Sequence, residues 1–200
     1  MAQPANHDMV NFVSKLLLMR IFLVGFMGSG KTTVAKNLAT MLQFSYFDLD
    51  EQIETSTGMT INQIFQNRGE PFFRQMEQAQ LFQTISKERT IIATGGGTPC
   101  SQPNMDFILA HGLSVYLRVD PEVLTERLVS SKFNRPYIKN LDEKGIRRLI
   151  RVLLPEREPW YQMANYVIEA NLTEHREVEE RIISQVKELT LFRGRPGLAL

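Results

Sequence analysis

Two hundred residues, 43% of them hydrophobic, fit one domain with a single well-buried core. A formal net charge of +1 gives no basic field for nucleic acid or acidic lipid, so functional positive charge must be local and the partner small. A single cysteine, Cys100, excludes an internal disulfide and a four-thiolate metal site, and no apolar stretch reaches the ~20 residues of a membrane span; both predict a soluble chain in a reducing cytoplasm.

Residues 1–18 read as a peripheral leader, because the basic start and small-residue cleavage site of a signal peptide are both missing. The apolar run Ile21-Phe22-Leu23-Val24 predicts the first strand, and G-F-M-G-S-G-K-T from Gly25 to Thr32 joins it to a helix over 32–42. A second strand over 44–47 runs into Asp48-Leu49-Asp50, followed by helices over 50–56, 60–67 and 70–87. A third strand over 90–94 ends in Gly95-Gly96-Gly97, before a helix over 103–111. The fourth strand, 113–119, leads to a helix over 121–130 and then to a polar stretch, 130–139, expected to form a mobile flap. A helix over 141–154 precedes the charged and aromatic run from Glu156 to Tyr161, which on its own reads as a helix end with a salt bridge. The last strand, 166–169, and a helix over 174–189 with the stripe Val178, Ile182, Val186 and Leu189 complete the pattern; 191–200 reads as a tail. Alternating strands and helices predict an α/β fold: a five-stranded parallel sheet flanked by helices, with one domain spanning 19–190.

In such a fold ligands collect beyond the carboxyl ends of the strands, and the unusual residues cluster there. The G-x-x-x-x-G-K-[ST] loop turns backbone N–H groups toward phosphate oxygens, Lys31 reaches the β- and γ-phosphates, and the Thr32 hydroxyl sits on Mg²⁺. Asp48 and Asp50 alternate at a strand end and are expected to face opposite ways. One approaches Mg²⁺ through water and the other faces an acceptor hydroxyl, the alternative for Asp50 being a helix cap. Gly95 to Gly97 predict a close approach of backbone to ligand, or a sharp turn. Arg74 has Glu77 one turn away, which makes it a carboxylate receptor held in place or a plain surface ion pair. Arg135, in the polar flap, suits stabilisation of a transferring phosphate. His7, His111 and His175 lack metal-ligand spacing and read as surface or capping residues, Cys100 as a buried thiol. No N-K-x-D sequence marks a regulatory GTPase.

Taken in order, G-F-M-G-S-G-K-T-T, D-L-D, G-E-x-x-F-R at Gly69 to Arg74, G-G-G, R-P at Arg135 and Pro136, and R-x-P-x-Y at Arg157 to Tyr161 resemble the shikimate kinase family. The resemblance runs from Arg20 to about Leu189 and implies a P-loop kinase fold, with a mobile lid near 130–140 and a substrate-binding helical region near 49–77. It implies a cytoplasmic monomer that phosphorylates the 3-hydroxyl of shikimate with ATP and Mg²⁺. By the same resemblance Gly28, Ser29, Gly30, Lys31, Thr32 and Thr33 bind the nucleotide phosphates, Arg127 lies beside adenine, and Thr32 and water-linked Asp48 hold the metal. Arg74 and Arg157 clamp the substrate carboxylate, Gly95, Gly96 and Gly97 line its pocket, and Phe65 and Phe73 pack around its ring. Lys31, Asp50 and the lid residue Arg135 form the catalytic set, with Asp50 also binding the substrate hydroxyls. The stretch 171–176 departs from the family, offering no clear basic residue to pack on adenine. A kinase for gluconate or a nucleoside monophosphate, and a nucleotide-binding paralogue without turnover, are the other readings; Asp50, Arg74 and Arg157 together argue against the first, and Lys31, Thr32, Asp48, Asp50 and Arg135 against the second.

Overall fold

The run Ile21 to Val24 has apolar side chains on both faces, as a central strand of a parallel sheet covered by helices on both sides requires. In the computed structural model, which describes residues 19–130, 136–171 and 175–192, all four are fully buried. They belong to β1 (Arg20–Val24), the middle of a sheet completed by β2 (Ser45–Asp48), β3 (Thr90–Ala93), β4 (Leu113–Arg118) and β5 (Tyr166–Glu169). The order is β2-β3-β1-β4-β5 and every pairing is parallel. The chain therefore builds β2 and β3 to one side of β1 and β4 and β5 to the other, creating a crevice at the carboxyl end of β1.

Parallel strands need crossover connections, supplied by α1 (Lys31–Leu42), α2 (Leu49–Thr57), α3 (Ile61–Gln83), α4 (Gln102–His111), α5 (Pro121–Ser130) and α6 (Glu143–Tyr161); α7 (His175–Phe192) follows β5. The main core joins Phe22, Ile91 and Leu117 of the sheet to Leu38 of α1, Ile108 of α4, Leu124 of α5 and Ile182 of α7. Val178, Ile182 and Val186 of the predicted stripe are buried. A smaller cluster of Ile53, Ile64 and Phe73, with Phe65 and Met76 packed on it, binds α2 to α3. That cluster fixes the region expected to receive the substrate.

Three boundaries differ from expectation for physical reasons. The two helices predicted over 60–67 and 70–87 form one element broken at Gly69, whose φ of 80° and ψ of 171° no helix contains. Pro71 then falls in the first turn of the second half, where its missing N–H is harmless. The element ends at Gln83, and Thr84–Ser86 forms a 3₁₀ turn instead of continuing the helix. In contrast, α6 runs through Pro155 and Pro159 to Tyr161, so Arg157 stands on a helix and not beyond its end. Burial of Ile146, Ile150, Leu154 and Tyr161 on one stripe outweighs what the prolines cost.

The leader 1–18, residues 131–135 of the flap with Arg135, residues 172–174, the Leu189 and His175 side chains and residues 193–200 of the tail lie outside the described residues. No helix among the described residues is long and apolar enough to cross a membrane.

Candidate active site

The phosphate loop leaves β1 and enters α1 through Gly30, a left-handed residue with φ of 92° that caps the helix without any side-chain hydrogen bond. The first turn carries no acid, so the positive end of α1 is open to an anion. Lys31, only 7% exposed, curls over the loop, donating to the Gly25 carbonyl at 2.8 Å, the Phe26 carbonyl at 2.9 Å and Ser29 Oγ at 3.3 Å. Ser29 is buried beneath it and Thr33 is exposed.

Thr32 follows on the same turn and donates its hydroxyl to Asp48 Oδ2 at 2.7 Å, tying α1 to the end of β2. Tyr46 donates to the same oxygen at 3.2 Å; burial, then the Asp48 and Glu51 charges, raise its phenol pKa and keep it a donor. Asp48 Oδ1 accepts from the backbone N–H of Asp50 at 2.9 Å and of Glu51 at 3.3 Å. Asp48 is thus the cap of α2, the role weighed for Asp50. Its register at the last β2 position places the carboxylate where both the strand end and the new helix can use it. Asp50, two residues on, lines the cavity beyond the glycine run; its Oδ1 would lie 3.2 Å from a Cβ built at Gly95. Both carboxylates line that cavity, Asp48 with its oxygens already engaged by Thr32, Tyr46 and two backbone N–H groups.

That cavity, of about 300 Å³, is walled by Asp50, Phe65, Phe73, Arg74, Gly95 to Gly97 and Arg157, with Thr32 and Asp48 in the same wall. Phe65 and Phe73 form an aromatic wall with ring centroids 4.9 Å apart. Arg74 Nη1 donates to Glu77 Oε2 at 2.7 Å. The pair is no ordinary surface bridge: Glu77 is 1% exposed, and its other oxygen accepts from the Thr98 hydroxyl at 2.7 Å. Burial opposes the charge on Arg74, but Glu77 and Glu70 outweigh it and its pKa rises above the usual guanidinium value. Arg157 lies over the Phe26 ring at 5.7 Å.

The glycine run is pinned from behind. Tyr161 donates to the Gly96 carbonyl at 2.5 Å, and Asn104 donates to the Thr98 carbonyl at 2.8 Å. A Cβ at Gly95 would meet Glu77 Oε1 at 2.5 Å, and one at Gly97 would meet Arg74 Cζ at 2.8 Å. In this structure the run makes room for protein groups: bare backbone lets the arginine and its buried carboxylate lie against the strand end. Gly97→Ala is expected to displace Arg74 and raise the KM for the acceptor about tenfold to a hundredfold, the loss of one charge-assisted contact. Steady-state kinetics with each substrate varied in turn check this, since the KM for ATP should stay unchanged.

Arg127 stands apart from this cavity, on α5, where Nη2 donates to the Ala170 carbonyl at 2.9 Å just past β5; burial lowers its pKa. Cys100 is only partly buried, not the fully buried thiol expected; it donates weakly to the Gly96 carbonyl at 3.8 Å, and burial pushes its thiol pKa up. His111 places Nδ1 2.8 Å from the Phe107 carbonyl at the end of α4.

Sequence reasoning missed Phe26, Tyr137 and Tyr161, which contact the candidate clamp arginine or the glycine run. The signal available for Tyr137 was its place directly after Arg135-Pro136; for Tyr161, its four-residue spacing from Arg157 on one helix.

The family model for shikimate kinase matches residues 27–187. The shikimate kinase of Bacteroides fragilis is 38% identical over 172 residues, 86% of this chain and 96% of that one. The shikimate kinase of Parabacteroides distasonis is 42% identical over 151 residues, 76% of this chain and 87% of its own. Among solved structures, the shikimate kinase of Acinetobacter baumannii in complex with shikimate superposes with a TM-score of 0.78 at 35% identity, covering 88% of this chain and 97% of that one. Matched by the family model over most of its length and by relatives at 38% and 42% identity, the chain belongs to the shikimate kinase family.

Proposed function

We propose that this protein transfers the γ-phosphate of ATP to the 3-hydroxyl of shikimate, giving shikimate 3-phosphate and ADP on the route to chorismate and the aromatic amino acids. The observation that carries this is one cavity lined by two guanidinium groups, Arg74 and Arg157, and by Asp50 among its carboxylates, with Thr32 and Asp48 in the same wall. A small polyol with one carboxylate needs cations at one end and hydroxyl acceptors at the other. Gluconate and nucleotides present a different charge and shape to the same walls.

In this reading the phosphates bind the open end of α1 and the loop from Gly28 to Thr33, and Lys31 exchanges the Gly25 and Phe26 carbonyls for phosphate oxygens. Thr32 and Asp48 fit Mg²⁺: their oxygens already lie 2.7 Å apart, and a hard cation that keeps its waters needs only one or two protein oxygens besides phosphate. Among the described residues no cluster of three or more His, Cys, Asp or Glu offers an all-protein cage. Bound there, the ion would neutralise charge on the phosphates. Asp50 accepts the proton of, or orients, the 3-hydroxyl while Arg74 and Arg157 hold the carboxylate at the far end, which aligns acceptor and donor. Phe65 and Phe73 exclude water from the ring. Arg135, outside the described residues, is assigned to the transferred phosphate by family resemblance, and Arg127 to the adenine side. Residues 19–190 act as one catalytic domain, in the cytoplasm and as a monomer.

A coupled ADP-release assay with shikimate, quinate, gluconate and AMP tests the acceptor; shikimate is expected to be preferred, and preference for any other acceptor contradicts the reading. Arg157→Ala is expected to lower kcat/KM for shikimate about tenfold to a hundredfold through loss of a charge-assisted bond of about 1.5 to 3 kcal/mol, measured in the same assay.

A further inference from the structure

One side chain touches both candidate clamp arginines. The Tyr137 hydroxyl donates to Glu70 Oε1 at 2.6 Å and accepts from Arg74 Nη2 at 3.3 Å. Glu70 Oε1 also accepts from Arg74 Nε at 3.2 Å and Nη2 at 3.0 Å, so Glu70, Arg74 and Tyr137 close a triangle at the rim of the cavity. The Tyr137 ring lies 5.7 Å from Arg157 Cζ and meets Phe65 edge-on at 5.8 Å, joining the aromatic wall to the second arginine. Pro136 and Tyr137 both line the cavity.

The charges are consistent with a fixed unit. The hydrogen bond from Tyr137 is the main cause holding the Glu70 carboxyl below its usual range; burial opposes this and Arg74 adds to it. Burial, with Glu70 next, pushes the Tyr137 phenol up, so it remains a donor at neutral pH. Glu77 anchors Arg74 from the buried side, whereas Glu70 is about half exposed. Without Tyr137 the outer face of Arg74 would be set by an exposed carboxylate alone, a weak restraint.

We propose that Tyr137 is a specificity-determining residue for the acceptor: it positions Arg74 through its hydroxyl and Arg157 through its ring, fixing the spacing of the two guanidinium groups that receive the carboxylate. This rests on the shikimate kinase reading of the same cavity. A flat carboxylate makes two parallel bonds only to donors held in register, so loosening either arginine weakens recognition of the charged end and leaves the phosphate end untouched.

Tyr137→Phe and Tyr137→Leu, compared with the wild-type chain, test it, with shikimate and its methyl ester as probes and with kcat and both KM values measured. Tyr137→Phe is expected to raise the KM for shikimate about threefold to tenfold, less than the loss of a direct charge-assisted contact because Glu77 and Glu70 still hold Arg74. Tyr137→Leu, which also loses the ring over Arg157, is expected to raise it about tenfold to thirtyfold. In both variants kcat and the KM for ATP stay within about twofold of wild type, and calorimetric binding of the methyl ester changes by less than about twofold. Equal loss for the acid and the ester, an equal rise in the KM for ATP, or no change in either variant overturns the role of Tyr137. A wild-type chain that does not phosphorylate shikimate instead overturns the acceptor reading on which the proposal rests.

Discussion

Asp50→Asn is expected to lower kcat at least about a hundredfold while leaving ATP affinity unchanged, the range for removing a general base or its equivalent in orientation. The substitution keeps shape and volume but replaces a charged proton acceptor with a neutral amide that accepts at one oxygen and donates from its nitrogen. Asp48, whose oxygens are committed to Thr32, Tyr46 and the backbone N–H groups of Asp50 and Glu51, has no spare arrangement with which to replace it. Loss of a negative charge in the first turn of α2 also weakens the helix-dipole interaction, by about 0.3 to 1 kcal/mol. That is too little: a hundredfold rate change corresponds to about 2.7 kcal/mol, so destabilisation of α2 cannot mimic the effect. Single-turnover kinetics together with calorimetric titration of a non-hydrolysable ATP analogue measure the two quantities separately. Undiminished turnover would remove Asp50 from catalysis.

Lys31→Ala has the complementary signature. The ammonium group sits over the loop on two carbonyls and a hydroxyl, within reach of a phosphate bound at the open end of α1. Removing one preorganised donor from developing phosphate charge costs about a hundredfold to a thousandfold in rate. Here ATP affinity falls as well, because the same contact serves the ground state. The Gly25 and Phe26 carbonyls lose a donor in the variant, so its unfolding midpoint belongs beside its kinetics. A loss of less than about tenfold in kcat/KM for ATP would show that the helix terminus and loop backbone carry the phosphate without the lysine.

The two variants divide the site into a donor half and an acceptor half, and the halves differed in how readily the sequence disclosed them. The phosphate loop was plain because each of its residues has a local reason: Gly30 adopts a left-handed turn, and Lys31 and Thr32 follow on the first turn of α1. The five strands were equally plain, although their lateral order depends on which crossovers lie on which face, a tertiary matter. The break at Gly69 was foreshadowed by the neighbouring Pro71, whereas passage of α6 through Pro155 and Pro159 was not, since burial of its apolar stripe overrode local propensity.

The acceptor half is built from long-range contacts, and there local reading weakened. Spacing alone placed Glu77 beside Arg74, but its burial comes from Thr98 and the bare backbone at Gly95, which only the fold brings to it. For the same reason the cap of α2 was weighed at Asp50: alternation along a strand does not reveal that Asp48 turns one oxygen to the new helix and the other to Thr32. Tyr137 carried no signal beyond its place directly after Arg135-Pro136, because its partners Glu70 and Arg74 lie more than sixty positions away in the chain.

Phosphorus NMR of the product formed from shikimate, ATP and Mg²⁺ tests the assigned reaction at the bond it makes. A phosphate monoester coupled to the proton at carbon 3 of shikimate is expected, with ADP formed in equal amount. ADP without a phosphorylated acceptor, or an ester on a different hydroxyl, would contradict the assignment.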